Sequence, residues 1–378
     1  MKRAALLILI LAAGGYLFAR PPAGVGGMDF TAFYCASRTL ASGANPYRYE
    51  PLHTCEHHNR SWRKPADVVA APLPPYALAL LVPVMALPYA QASLVWLLLL
   101  IASAAVIIWA IRELTNLPLL AVGVPIVIAV LLQSMPTGSL APVPIALLCA
   151  AAVAITRWQW NLAALLLGLA CIEPHVAVPA FIAAALLIAP MRARLGVAAL
   201  ALLAIAVVSG GIALNAQYFT AVLPAHARFE LGSIVQFGLS SMLYNFGVPA
   251  RIALAIGAAQ YALFVLLGVG LAARYRRDVP AMLVLVPMAF AVVGGVYIHL
   301  TQLAAVLPLG FVVAGRKPSP LPWIGISLVA IPWNLLEAAT PNALIVPRLG
   351  EIAPGEFAYV ANALVYAGIG CILWALLK

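Results

Sequence analysis

ASLVWLLLLIASAAVIIWAI, residues 92 to 111, runs for twenty positions without a charged side chain. A hydrocarbon core about 30 Å thick needs roughly 20 apolar residues in helical geometry, so this stretch reads as a membrane-spanning helix. It lacks the two-residue alternation of a transmembrane barrel strand. A helix also satisfies its own backbone polar groups, as lipid requires.

The same reading extends outward. The chain of 378 residues is 65% hydrophobic and 8% charged, against about 25% charged in an ordinary soluble domain. The fold class is therefore an all-α polytopic membrane protein with about 12 to 13 transmembrane or partial helices. Candidate helices lie at 4 to 19, 73 to 87, 92 to 111, 117 to 132, 141 to 156, 161 to 172, 175 to 189, 195 to 214, 250 to 273, 279 to 297, 302 to 314, 321 to 336 and 357 to 377. Residues 1 to 378 read as one integral membrane domain. In it, 1 to 19 form a signal-anchor helix, 20 to 71 a first outer loop and 73 to 377 a helical bundle with a further outer loop at 215 to 249. The first segment has no small-x-small cleavage site before Arg20-Pro21-Pro22, which favours a retained anchor.

The net charge of +10 comes from arginines scattered between apolar runs, a pattern of membrane orientation rather than of nucleic-acid binding. Arg112, Arg157, Arg192/Arg194, Arg274/Arg276/Arg277 and Arg316/Lys317 all follow odd-numbered segments. If every segment crosses fully, these loops share a side with residues 20 to 71 and oppose Lys2/Arg3. A partial crossing by 73 to 87, which is short and flanked or interrupted by Pro74, Pro75, Pro83 and Pro88, makes every arginine loop cytoplasmic. The remaining polar interruptions then face outward, among them 133 to 140, 173 to 176 and 297 to 302.

Ionisable groups on that face are the candidates for chemistry, because desolvation makes them costly at membrane depth. Asp29 precedes a short helix, FTAFYCASRTLASG, and reads as its N-cap; a rigidly capped carboxylate can also serve as a general base. Glu173-Pro174-His175 breaks two apolar runs, either as a helix end at the interface or as a functional pair. His226 and Arg228, His299, and Arg348 read singly as headgroup anchors and together as a set able to hold a lipid phosphate. HTCEHH, residues 53 to 58, has metal-ligand types but matches no closed zinc spacing and reads as a solvated loop. Cys35 and Cys55 share one polar loop and can pair in an oxidising compartment. Cys149, Cys171 and Cys371 read as small core residues. No Walker loop, dinucleotide fingerprint or Gly-x-Ser-x-Gly elbow is present.

The order of these features resembles the GT-C superfamily of integral membrane glycosyltransferases, and within it the bacterial glycosyltransferase family 87, which includes polyprenyl-phosphate-mannose-dependent mannosyltransferases. The matching residues are Asp29, Phe30, Phe33 in place of a Tyr, Tyr34, Ala36, Arg38, Leu40, Gly43 and Tyr47. PLPPYALALL at 72 to 81, LAALLLGLACIEPHVAVPAF at 162 to 181 and IHLTQLAAVLPL at 298 to 309 continue it. Two departures stand out. Pro136-Thr137-Gly138-Ser139 replaces a Gln-Gly-Gln-like patch, and Glu173-Pro174 replaces a Lys-Pro.

The resemblance implies an inverting transfer of mannose or another hexose or pentose from a polyprenyl-phosphate donor to a lipid or glycan acceptor, on the extracytoplasmic side of a bacterial plasma membrane. It implies Asp29 as general base, and His299 with Arg348 or the His226/Arg228 pair on the donor phosphate. Tyr34, Arg38, Glu173, His175 and Gln302 follow as substrate-binding residues, with no cofactor or metal called for and no nucleic acid as partner. One carboxylate suffices, because a departing lipid phosphate needs no second acid, unlike the paired carboxylates of most glycosidases. Few outward acids therefore suit a transferase better than a hydrolase. A transporter or flippase of a lipid-linked sugar is the alternative, for which paired broken helices in two pseudo-symmetric halves are expected. A structural membrane subunit is a third.

Overall fold

A computed structural model describes residues 27 to 59, 68 to 69, 71 to 232, 236 to 333, 344 to 346, 350 to 352 and 354 to 378. The expected signal-anchor helix and Arg348 lie outside the described residues. The chain forms α1 (Met28–Ala41), α2 (Tyr49–Asn59), α3 (Pro75–Met85), α4 (Tyr89–Thr115), α5 (Leu119–Leu132), α6 (Pro142–Thr156), α7 (Trp160–Ala170) and α8 (Pro174–Leu187). It continues as α9 (Ala189–Glu230), α10 (Leu239–Asn245), α11 (Ala250–Tyr275), α12 (Met282–Val293), α13 (Leu300–Arg316), α14 (Leu321–Ala330) and α15 (Pro354–Leu377). One short antiparallel pair, β1 (Leu344–Val346) and β2 (Gly350–Ile352), precedes α15.

Among the described residues, four helices, α4, α9, α11 and the end of α15, are long and apolar enough to cross a membrane. The helix α12 is instead buried at every residue and fills the bundle interior. The large side chains left exposed on α9 and α11, such as Val208, Ile212 and Leu266, are apolar and suit a lipid surround. Where α14 meets α15, a Cβ on Gly325 would come within 2.4 Å of the Gly368 carbonyl. Small residues there permit the close backbone approach that stands in for hydrophobic driving force between helices in lipid.

At 11 residues, α3 is about 16 Å long, half a crossing, as its prolines lead one to expect. The expected loop from 215 onward is corrected. The ninth helix breaks at Gly211 but continues to Glu230, and Asn215 Nδ2 donates to the carbonyls of Ala206 and Gly211 that the break leaves free. The part beyond the break packs back against the outer end of the bundle: Asn45 Nδ2 donates to Gln217 Oε1 at 2.9 Å and the Tyr218 hydroxyl to the Pro72 carbonyl at 3.1 Å.

The basic residues gather at one end. Arg157 pairs with Glu113 at 2.6 Å, joining the ends of α6 and α4. Gly315 packs against Thr115, bringing in the end of α13. Arg276 donates to the Leu187 carbonyl at 2.7 Å, and Arg194 to Asn161, so the ends of α11 and α8 meet the starts of α9 and α7. The polar interruptions therefore meet at the opposite end.

There, α1 and α2 are joined by a Cys35–Cys55 disulfide, with Cα atoms 5.7 Å apart. The solvated-loop reading of HTCEHH is corrected: it lies within α2, Cys55 is in the disulfide, and Glu56 is buried and accepts a hydrogen bond from Val69 N at 2.9 Å. Burial pushes the Glu56 carboxyl up to about 7. No group of metal-ligand residues occurs among the described residues. Cys149 and Cys171 are buried and Cys371 half-buried. Opening the 20-residue separation between Cys35 and Cys55 should destabilise the protein by about 3 kcal/mol on the chain-entropy model. Thermal unfolding of Cys35→Ser in detergent, and of the native protein with reductant, should show the same loss.

Candidate active site

Asp29 is the second residue of α1 rather than its N-cap; Gly27 holds the cap position and no side-chain cap bond forms. The free N–H groups of this helix start find partners elsewhere. Gly27 N donates to the Pro136 carbonyl and Asp29 N to the Thr137 carbonyl at 2.8 Å. Trp96 Nε1 donates to the Gly138 carbonyl at 2.9 Å from the other side. The patch at 136 to 139 is thus the cradle for α1, and the Asp29 carboxylate is not consumed in capping.

That carboxylate is half-buried in a cleft walled by protein, and desolvation raises its pKa against the pull of His299 and of a Thr137 hydrogen bond. Glu230 and Glu173 are near enough to raise it further.

Two linked networks complete the cleft. At the start of α8, Glu173 Oε1 accepts from Gln302 Nε2 at 2.6 Å, and His175 Nε2 accepts from the same amide at 3.0 Å. Gln302 Oε1 in turn accepts from His299 N at 3.0 Å. Glu173 is 5% exposed, its Oε2 has no protein partner, and burial pushes its carboxyl up to about 7. The second network is centred on Glu230 at the end of α9. Its two oxygens lie 3.6 Å from His226 Nε2 and 3.7 Å from His299 Nε2, and Gln236 Nε2 donates to it. The Tyr297 ring stands edge-on to His226 at 5.1 Å.

The structure therefore brings Asp29, Glu173, His175, His226, His299 and Gln302 together. It leaves Arg228 out: two residues from His226 is about 200° around a helix, and Arg228 is exposed on the opposite side. Tyr34 and Arg38 serve the frame of α1. The Tyr34 hydroxyl donates to the Leu87 carbonyl at 3.2 Å and accepts from Arg38 Nη1 at 2.9 Å. Sequence reasoning missed Glu230, Gln236 and Tyr297, although Glu230 closes the run PAHARFE, residues 224 to 230, with a His four residues before it, the spacing of one helix face. The expectation of few acids is also corrected, since three carboxylates meet here.

Beside this cleft an apolar cavity of about 660 Å³ lies between α8 and α9. Tyr76, Phe181, Leu202, Ile212 and Phe219 are among its walls, and Cys171, two residues before Glu173, marks where it approaches the polar groups.

The family model described as glycosyltransferase family 87 matches residues 73–300, more than half of the chain. No curated protein and no solved structure matches. The matched span holds Glu173, His175, His226, Glu230 and His299; Asp29 precedes it and Gln302 follows it, so their place in the site rests on the fold.

Gly138 tests the cradle. Its φ is +74° and an added Cβ would sit 2.5 Å from Phe30 Cβ, whereas Gly43, at φ +78°, has nothing within 4 Å. Gly43→Ala should cost about 1 kcal/mol of backbone strain. Gly138→Ala should add about 1 to 3 kcal/mol of overpacking, read as a larger drop in thermal stability.

Proposed function

From the premise that this chain belongs to glycosyltransferase family 87 and is a membrane glycosyltransferase, we propose that it transfers a sugar from a polyprenyl-phosphate donor to a lipid or glycan acceptor with inversion. The observation that carries this reading is the convergence of an uncapped Asp29 with His299 and His226 at the bundle end opposite the arginine-rich loops. Asp29 takes the proton of the acceptor hydroxyl as its oxygen attacks the anomeric carbon. The bond from that carbon to the phosphate oxygen breaks, and charge develops on the lipid phosphate. His299 and His226 stabilise this charge, with Arg348 as a further candidate. Donors placed there accelerate the step only so far as they bind the developing charge more tightly than the ground state.

The apolar cavity supports a lipid-linked donor, because its walls suit prenyl units and one of them, Cys171, stands two residues before Glu173 in the chain. Under the positive-inside rule the arginine end is cytoplasmic, so the cleft opens on the extracytoplasmic face. The Cys35–Cys55 disulfide beside Asp29 supports that side, since disulfides persist in oxidising compartments. A bacterial plasma membrane is the setting proposed. The flippase reading lacks an observation of its own, as the break at Gly211 has no counterpart in a second repeat among the described residues.

With purified protein and a radiolabelled polyprenyl-phosphate sugar, Asp29→Asn should lower transfer by about 100-fold or more. Full activity in the variant would remove Asp29 as base, and no transfer by the native protein across a donor panel would favour transport. Asp29 must be ionised to act and burial raises its pKa, so activity should rise with pH through a limb above the ordinary carboxylate range. Cysteines introduced at 112 and 157 should label from the cytoplasmic side only.

A further inference from the structure

The apolar cavity and the polar cleft are joined by one face of α8. Val178 and Ile182 line the cavity and stand three and seven residues after His175, the spacing of a single helix face. His175 therefore heads the row of cavity-lining side chains at the polar end of the helix, and its side chain is 30% exposed. A lipid whose chain lies in the cavity brings its phosphate toward this ring.

A chain of hydrogen bonds fixes the state of the ring. His299 N donates to Gln302 Oε1 at 3.0 Å. A backbone N–H can only donate, so this bond decides which end of the Gln302 amide is the oxygen. The other end, Nε2, has two protons to give: one goes to Glu173 Oε1 at 2.6 Å and one to His175 Nε2 at 3.0 Å. His175 Nε2 is therefore an acceptor, which places the ring's own proton on Nδ1. Glu173 Oε1 also lies 3.4 Å from His175 Nε2, but the same amide already serves both atoms. Burial and the charge of His299 push the His175 pKa down to about 4, in keeping with a ring that stays neutral. The backbone is held from α11, where the Tyr261 hydroxyl donates to the His175 carbonyl at 2.7 Å. Nδ1 has no hydrogen-bond partner among the described residues.

We propose that His175 Nδ1–H holds an oxygen of the lipid phosphate at the polar end of the apolar cavity, with Gln302 as the positioning residue that keeps the proton on Nδ1. A nitrogen locked as a donor suits an oxygen that can only accept, and the ionised phosphate oxygens are of that kind, whereas a sugar hydroxyl can play either part. The contact adds no charge to the cleft, so it does not compete with His299 for the neighbouring carboxylates. Gln302 lies outside the matched family span, so its part rests on the fold alone. The assignment deepens the proposed reading of a phosphate-linked lipid donor and depends on it.

The test uses the full-length protein in detergent and compares three probes: polyprenyl phosphate, the polyprenol without phosphate, and inorganic phosphate. His175→Ala should weaken polyprenyl phosphate by about tenfold or more, the scale of a hydrogen bond to a charged group, and leave polyprenol affinity unchanged. Inorganic phosphate should bind far more weakly than the lipid, because the cavity contributes only to the chain. His175→Asn, which keeps an N–H near the place of Nδ1, should recover part of the loss. Nitrogen-15 spectra of histidine-labelled protein, assigned by the signal that His175→Ala removes, should show the proton on Nδ1. Gln302→Glu keeps an acceptor for His299 N but sets an oxygen against His175 Nε2, so that nitrogen should become protonated. Equal losses for polyprenol and polyprenyl phosphate, native-like binding by His175→Ala, or a native ring protonated on Nε2 would each overturn the assignment. No binding of polyprenyl phosphate by a native protein that shows the Nδ1 signature would overturn instead the donor reading.

Discussion

The start of α1 is satisfied by someone else's backbone. Carbonyls of Pro136 and Thr137 take the hydrogen bonds of Gly27 and Asp29, and Phe30 closes over Gly138 with no room for a Cβ. The first N–H groups of a helix need partners, and a capping carboxylate is the common supply. Here the bundle provides them, which frees the Asp29 side chain while holding its backbone in place. Everything proposed for this residue depends on that exchange: a carboxylate spent on its own helix would be a poorer base, and one without the cradle would be poorly aimed.

Much of the helical frame was legible because lipid leaves few alternatives. Apolar runs of membrane length must be helices, and the expected ranges for α4, α6, α8, α11 and α13 agree with the structure to within a few residues. What failed was continuity. The run ending near 214 gave no sign that Asn215 would repair the break at Gly211 and carry the helix on to Glu230. Asn and Gly are both weak helix formers, so local propensity pointed to a loop, and a tertiary hydrogen-bonding solution overrode it.

The site divides along the same line. Asp29, Glu173, His226 and His299 could be picked out because charge and imidazole are scarce in an apolar chain, so scarcity alone marked them. Grouping His226 with Arg228 failed, since adjacency in sequence is nearly opposition on a helix. Gln236 carries no charge and sits 63 residues before His299 in the chain. Only the backbone bridge at His299 makes it part of the cleft.

A carboxylate at Glu173, where the resemblance leads one to expect a Lys, raises a difficulty for the proposed phosphate site, because like charges in a desolvated cleft repel strongly. Burial provides a way out. With its carboxyl pushed up to about 7, Glu173 carries a proton much of the time near neutrality and then presents little net charge to an anion. Gln302 adds to this by donating to Oε1 and, through its other end, tying Glu173 to the His299 backbone. A protonated Glu173 is a hydrogen-bond donor, and its Oε2 lacks a protein partner. The side chain that looks like the wrong charge for the proposed donor is therefore, once protonated, a neutral hydrogen-bond donor facing the cleft's other polar groups.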